Sequence, residues 1–318
     1  MYEKFYGLRE RPFDLIPNPR FLLLTDAHRE ALGNLEYGIS AHKGITVLTG
    51  EAGTGKTTLI RTALARADAA VVGPPASWAH LKNPRLSEPD FLEFLAARFG
   101  LSAGASESKL RLLDELEKRL AAGDRGALIV DEAQCVPLEL LEEIRLLANI
   151  ESDTEKLLPI ILVGQPELAD RLNEPALRQL KQRVALRCAL APLSLQETGA
   201  YIAGRITIAG GNPGQLFYRE AVLTIHERSR GIPRTINMIC DNALLTGYAE
   251  ELRPVPVKVI ETVCRDFDLP RWDGASAKPV PPDDGTAEVR SAPGTDASQP
   301  ETSEARIHWP RLWGLRRR

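Results

Sequence analysis

Nine consecutive residues, Gly50-Glu51-Ala52-Gly53-Thr54-Gly55-Lys56-Thr57-Thr58, constrain the fold more than any other stretch of this chain. They fit the pattern G-x-x-x-x-G-K-[ST], a phosphate-binding loop that joins a buried strand to a helix. The flanks supply both elements. Apolar Ile45-Thr46-Val47-Leu48 reads as a strand before the loop, and Leu59-Ile60-Arg61-Thr62-Ala63-Leu64 as a helix after it. Gly50, Gly53 and Gly55 let the backbone turn so that successive N–H groups point at phosphate oxygens. The helix N-terminus adds partial positive charge at the same place. Lys56 is the residue to reach the β- and γ-phosphates, and the Thr57 hydroxyl is the residue to ligate Mg²⁺. All of Gly50 to Thr58 are therefore candidate nucleotide contacts.

A second site follows at Ala127-Leu128-Ile129-Val130-Asp131-Glu132, an apolar strand ending in two acids. Downstream of a phosphate loop such a pair divides its work. Asp131 is expected to hold the Mg²⁺ shell, and Glu132 to orient and polarise the attacking water. Three further positions extend the pattern. Ile160–Val163 runs into Gly164-Gln165, which puts a polar side chain at a strand's C-terminal end, where parallel sheets bind ligands. Gln165 is a candidate sensor of the γ-phosphate and the water. Arg183 stands just before the strand-like run Val184–Arg187 and is a candidate arginine finger for a neighbouring subunit, with Arg178 as the competing candidate. Gly231-Ile232-Pro233-Arg234 opens an apolar helix, Pro being well placed near a helix start. Arg234 would face the nucleotide from there.

At 318 residues the chain is long enough for one large core or two smaller ones. Short apolar runs alternate with helical patterns over residues 1–192, which predicts an α/β domain with a parallel sheet and helices on both faces. The expected strands are Ile45–Thr49, Ala69–Val72, Ala127–Val130, Ile160–Val163 and Val184–Arg187. A helix over Ser108–Ala121 would carry Leu110, Leu113, Leu116 and Leu120 on one stripe. Residues 193–269 show no strand pattern. Helical stretches at Gln196–Ala209, Glu220–Arg228 and Thr235–Ala249 predict a small all-α domain. Residues 270–318 form a tail, rich in Pro, Ser, Gly, Asp and Glu as far as Glu304, that is expected to be disordered. It ends in a basic, aromatic segment from Arg306 to Arg318, a candidate for docking on an anionic membrane surface or a partner.

The formal charge of −3 gives no global field for nucleic acid, although a local patch would not need one. Four widely spaced cysteines without a C-x-x-C pair read as reduced thiols, and the five histidines show no ligand spacing. No metal is expected beyond Mg²⁺. The N-terminus has no signal-peptide run, and no apolar stretch approaches the roughly 20 residues that span a bilayer. A cytoplasmic location is the expectation, extending to the inner face of the membrane through the tail.

The chain resembles AAA+ ATPases of the ExeA type, the general secretion pathway A proteins. The resemblance covers residues 1–268. It rests on Phe5-Tyr6-Gly7-Leu8, Arg11-Pro12-Phe13 and Pro17-Asn18-Pro19-Arg20-Phe21, then Gly50–Thr58 and Asp131-Glu132-Ala133-Gln134. It continues through Leu157-Leu158-Pro159, Val163-Gly164-Gln165-Pro166-Glu167-Leu168, Gly231-Ile232-Pro233-Arg234 and Ile236-Asn237. The resemblance implies a P-loop fold with a five-stranded parallel sheet in the order 5-1-4-3-2 and a helical lid over residues 193–269. It also implies a homo-oligomer, with ATP and Mg²⁺ bound between core and lid and a finger arginine from the next subunit. By the same analogy Lys56, Thr57, Asp131, Glu132, Gln165, Arg183 and Arg234 take the roles given above. The segment around Phe13 helps enclose the base, with packing of that arm on the core as the competing reading. Secretion-type members continue into a membrane span and a periplasmic peptidoglycan-binding domain, for which this sequence has no counterpart. The expected activity is ATP hydrolysis that drives assembly or remodelling of an envelope system (secretion, pilus or exopolysaccharide export) with an envelope-complex protein as partner. The alternative is a DNA-associated ATPase resembling the TniB and MuB transposition helpers. A helicase is disfavoured because no second sheet-containing motor domain is present.

Overall fold

Five parallel strands carry the site, and the computed structural model describes residues 1–16, 18–21, 23–70, 76–152 and 155–270. The strands are β1 (Ile45–Gly50), β2 (Ser77–Leu81), β3 (Gly126–Val130), β4 (Ile160–Gly164) and β5 (Val184–Leu190). Their spatial order is β2-β3-β4-β1-β5, the order the resemblance implies. In the middle of the sheet β3 and β4 are buried at every residue, which is why Ala127–Val130 and Ile160–Val163 read as unbroken apolar runs. The edge strand β5 alternates between exposed and covered residues before it closes on Cys188 and Leu190. Register follows from these side chains: Ile45, Thr46, Val47 and Leu48 of β1 lie beside Ile160, Ile161, Leu162 and Val163 of β4.

The helices are α1 (Glu3–Tyr6), α2 (Asp26–Ser40), α3 (Lys56–Ala69), α4 (Glu88–Phe99), α5 (Lys109–Ala121) and α6 (Leu138–Leu147). They continue with α7 (Glu167–Arg171), α8 (Arg178–Lys181), α9 (Leu195–Ile208), α10 (Arg219–Ser229), α11 (Pro233–Ala249) and α12 (Val257–Asp266). Local chemistry fixes their starts. The Thr25 side chain caps α2 by accepting from the His28 N–H. Ser87 with Asp90 and Ser194 with Glu197 form capping boxes at α4 and α9. One sheet face packs Ile45, Val47, Leu128 and Val130 against α4, α5 and α6, while Leu48, Ala127, Ile129 and Val163 face α2 and α3 on the other. The alternation of β3 between two covered faces is thus the whole reason for its composition.

Helices α9 to α12 bury a third cluster of their own, around Ile202, Ile206, Ile225, Ile236, Ile239 and Ile260. The N-terminal arm, grouped with the first domain on sequence, contributes Tyr2, Tyr6, Leu8, Phe13 and Phe21 to this same cluster. Polar ties run alongside the apolar ones. The Arg9 N–H donates to the Ala209 carbonyl at 2.8 Å, the Tyr6 hydroxyl to the Leu252 carbonyl at 3.1 Å, and Arg205 Nε to the Pro12 carbonyl. The arm is therefore sewn to the all-α part, and α2 follows it onto the sheet.

Three expectations need correction. Ala69 closes α3 instead of opening a strand, since the alanine-rich run 63–70 favours helix; Val71 and Val72 lie outside the described residues. The strand in that place is Ser77–Leu81, where Ala79 and Leu81 are buried and Trp78 and His80 are half-covered. In α5 the buried stripe is Leu112, Leu116 and Leu120, at strict i, i+4 spacing, and Leu110 is 77% exposed. Finally, β5 runs on to Leu190, and α12 follows the three expected helices of the all-α part. The expected disordered tail and its basic aromatic end lie outside the described residues, apart from Pro270. No helix among the described residues is long and apolar enough to cross a membrane.

Candidate functional site: a phosphate loop under a helical lid

Strand β1 delivers the loop and α3 leaves it, so residues 50–58 bend where sequence alone puts them. Gly53 and Gly55 have φ of +88° and +102°, in the region that favours glycine. At Gly53 space is also decisive: an added Cβ would stand 2.7 Å from Arg234 Cβ and 3.1 Å from Ile232 Cγ2. The first turn of α11 sits directly on the loop there, with the Arg234 N–H donating to the Gly53 carbonyl at 3.2 Å. The all-α part therefore touches the phosphate loop through backbone, whatever the Arg234 side chain does.

A cavity of about 450 Å³ opens between these parts. Its floor is Ala52 to Thr58 with Asp131 and Glu132. Pro233 and Arg234 of α11 close one side, together with Tyr201 and Arg205 of α9. Gly50 and Glu51 stand behind the floor, where their carbonyls accept from Lys56 Nζ at 2.7 and 3.1 Å. The Lys56 side chain is only 6% exposed, and burial pulls its ammonium below the usual range against the opposing fields of Glu132 and Asp131. A phosphate would supply the counter-charge this buried cation lacks.

Thr57 Oγ1 lies 3.5 Å from Asp131 Oδ2, with the hydroxyl donating. Burial pushes the Asp131 carboxyl up, but His80, the Glu132 amide and Lys56 together outweigh it and hold the group below its ordinary value. Asp131 is thus kept ionised. Two hard oxygen donors side by side, one of them a carboxylate, fit a Mg²⁺ that takes its other ligands from phosphate and water. His80 Nε2 faces Asp131 Oδ2 from β2 at 3.8 Å, too far for a hydrogen bond.

Glu132 follows with φ of +51°, a conformation that costs a non-glycine residue on the order of 1–3 kcal/mol. Such outliers concentrate at working sites. Gln165 does not line the cavity; its Nε2 stands 3.4 Å from Glu132 Oε2. Arg183 and Arg178 are exposed and away from the cavity, so within one chain neither meets the loop. Of the predicted residues, Lys56, Thr57, Asp131, Glu132 and Arg234 converge on the cavity, Gln165 reaches it through Glu132, and Arg183 stays outside.

The arm bears on both readings given for it: Phe13 itself packs inward, and its neighbours wall the cavity. Phe13 is fully buried against Phe217, with ring centroids 6.4 Å apart, and packs with the all-α helices. The arm residues that wall the cavity are Asp14, Leu15, Ile16, Asn18, Phe21 and Leu23. Leu15 and Ile16 are 54% and 72% exposed, apolar surface available to a flat ring.

Sequence reasoning passed over several residues. His28 Nε2 lies 3.2 Å from the Thr54 carbonyl, and its Nδ1 lies 2.7 Å from Thr25 Oγ1. A carbonyl only accepts, so Nε2 donates, and the ring ties α2 to the loop. Arg205 is buried at 7% exposure, stacked 4.9 Å from the Phe21 ring centroid, with Nη1 donating to the Tyr201 hydroxyl at 2.7 Å. No local pattern signals either residue, because the partners that give each its place, Thr54 for His28 and Pro12 for Arg205, are distant in sequence.

With the geometry in view, comparison with known proteins is direct. The family model described as an AAA domain matches residues 39–172. General secretion pathway protein A of Aeromonas hydrophila is 43% identical over 254 residues, 78% of this chain and 45% of that protein. The chain thus spans less than half the length of this curated relative. The ORC2 protein of Aeropyrum pernix, solved as ADPNP–ADP complexes, has a TM-score of 0.61 at 18% identity, covering 86% of this chain and 74% of that one. Cdc6p of Pyrobaculum aerophilum has a TM-score of 0.59 at 13% identity, covering 83% and 70%. At such identities these two likenesses speak for the fold alone. Loop, paired acids, sheet order and matched domain agree: residues 39–172 carry an AAA domain on a P-loop sheet, and the chain is similar over 78% of its length to general secretion pathway protein A.

Proposed function

We propose that the chain is a Mg²⁺-dependent ATPase that works as a homo-oligomer to drive assembly or remodelling of a cell-envelope system. The observation that carries the chemistry is the convergence of Lys56, Thr57, Asp131 and Glu132 on one cavity beneath Arg234. Loop N–H groups and Lys56 bind the phosphates, and the arm and lid enclose the base and exclude water from the floor. Thr57 and Asp131 hold Mg²⁺, which when bound neutralises charge on the phosphate oxygens. Glu132 accepts a proton from water as the water oxygen bonds to the γ-phosphorus and the bond to the bridging oxygen breaks, with ADP as the leaving group. Arg234 supplies positive charge from the lid. Arg183, exposed at the start of the edge strand, reaches the γ-phosphate of the next subunit, which explains why it misses its own cavity.

Support for an envelope role comes from the 43% identity to general secretion pathway protein A. The basic aromatic end adds a sequence feature suited to an anionic bilayer. The test is ATP turnover of the full chain with anionic liposomes or with duplex DNA. Stimulation by liposomes and not by DNA is the expected result. Salt-dependent stimulation by DNA alone would replace the envelope reading with the transposition-helper one.

A further inference from the structure

Gln134 is the best-connected polar side chain beside the acids, and no role has yet been given to it. It sits in the single turn Ala133–Cys135 just after Glu132. Its Nε2 donates to Glu132 Oε2 at 2.6 Å, and its Oε1 accepts from the Gln165 backbone N–H at 3.1 Å. The two ends of one carboxamide thus join the acid to the C-terminal end of β4. Its own backbone is held as well, since Arg171 Nη1 of α7 donates to the Gln134 carbonyl at 2.8 Å. Room for this bridge depends on Gly164, where an added Cβ would come within 2.6 Å of Gln134 Oε1.

We infer that Gln134 is a positioning residue that fixes the Glu132 carboxylate and couples it to the strand end bearing Gln165. The inference rests on the reading of Glu132 as the residue that polarises water. Glu132 sits in the left-handed region, so its backbone is not oriented by any regular element. Something else must set the direction of its carboxylate, and the 2.6 Å bond from Gln134 is the shortest contact it makes. Oε2 receives this donor and the Gln165 amide at 3.4 Å, while no donor among the described residues reaches Oε1. One oxygen is held and the other is free for water. Any shift of the Gln165 main chain passes through Gln134 to the acid. Misplacement of a catalytic group by about 1 Å costs on the order of 100-fold in rate.

The test uses the full chain with Gln134→Leu, Gln134→Glu, Glu132→Gln and the Glu132→Gln/Gln134→Leu double variant. Gln134→Leu removes both bonds at similar size. Gln134→Glu keeps an acceptor for the Gln165 N–H but sets a carboxylate where Glu132 needs a donor, so it remains informative if the leucine variant folds poorly. The readouts are kcat, KM, and affinity for a fluorescent ATP analogue. We expect kcat to fall about 10–100-fold in either single variant, with analogue affinity nearly unchanged. The double variant should be no slower than Glu132→Gln, since a group acting only through Glu132 has nothing left to position. Wild-type kcat in Gln134→Glu, or losses that multiply in the double variant, would overturn the inference while Glu132→Gln stays slow. Normal turnover in Glu132→Gln would instead remove the reading of Glu132, and the inference with it.

Discussion

Glu132→Gln will bind ATP about as well as the wild type and hydrolyse it roughly 10²–10⁴-fold more slowly, the loss that follows removal of a positioned general base. The substitution preserves size and the ability to accept from Gln134 and Gln165, so the floor of the cavity keeps its form. What is lost is the capacity to take a proton from water. Asp131 cannot substitute, because its Oδ2 is engaged toward Thr57 and His80 and is the group set to hold Mg²⁺. Binding should survive because the loop, Lys56 and the lid are untouched. Nucleotide-locked oligomers should therefore accumulate, and size-exclusion chromatography with ATP will show a larger species than with ADP. Near-normal turnover would remove the water-polarising role from Glu132.

The second large effect belongs to a residue that touches nothing in its own cavity. Arg183→Ala should leave nucleotide affinity intact and lower oligomer-dependent turnover by ~10³–10⁵, the contribution of arginine fingers elsewhere. Arg183 is exposed immediately before β5, where its planar fork is free to meet phosphate across an interface. Arg178, at the start of α8, is the neighbouring control. Complementation makes the test sharp. Lys56→Ala subunits, unable to hold nucleotide but with Arg183 intact, should restore hydrolysis when mixed with Arg183→Ala subunits. Absence of rescue, or a larger loss in Arg178→Ala, would take the finger role from Arg183.

The parts of this protein legible in its sequence are those written contiguously. The loop from Gly50 to Thr58, the acids after β3 and the buried runs of β1, β3 and β4 each fit within one short window, where spacing and polarity carry the message. The sheet order came from resemblance, and the structure has it. Misreadings arose where local signals compete. Alanines at 63, 65, 67 and 69 extend α3 into the first residue of the expected strand, and Leu110 is exposed while Leu112, Leu116 and Leu120 of the same helix are buried. Contacts across great sequence distance had no signal at all. His28 meets Thr54 over 26 residues, Gln134 meets Gln165 over 31, and Arg205 meets Pro12 over 193. The arm shows the limit most plainly: the resemblance places the segment around Phe13 near the base without saying which side chains serve there, and the structure packs Phe13 against Phe217 while Leu15 and Ile16 line the cavity.

If this cavity hydrolyses ATP through contacts between subunits, turnover must depend on protein concentration. The most direct measurement is the rate of ATP hydrolysis per subunit, with Mg²⁺, as a function of protein concentration, for the wild type and for Lys56→Ala. The rate per subunit should climb with concentration and then level off in the wild type, and stay at background in Lys56→Ala, which has lost nucleotide affinity. Turnover that is independent of concentration, or that persists in Lys56→Ala, would contradict hydrolysis at this cavity through contacts between subunits.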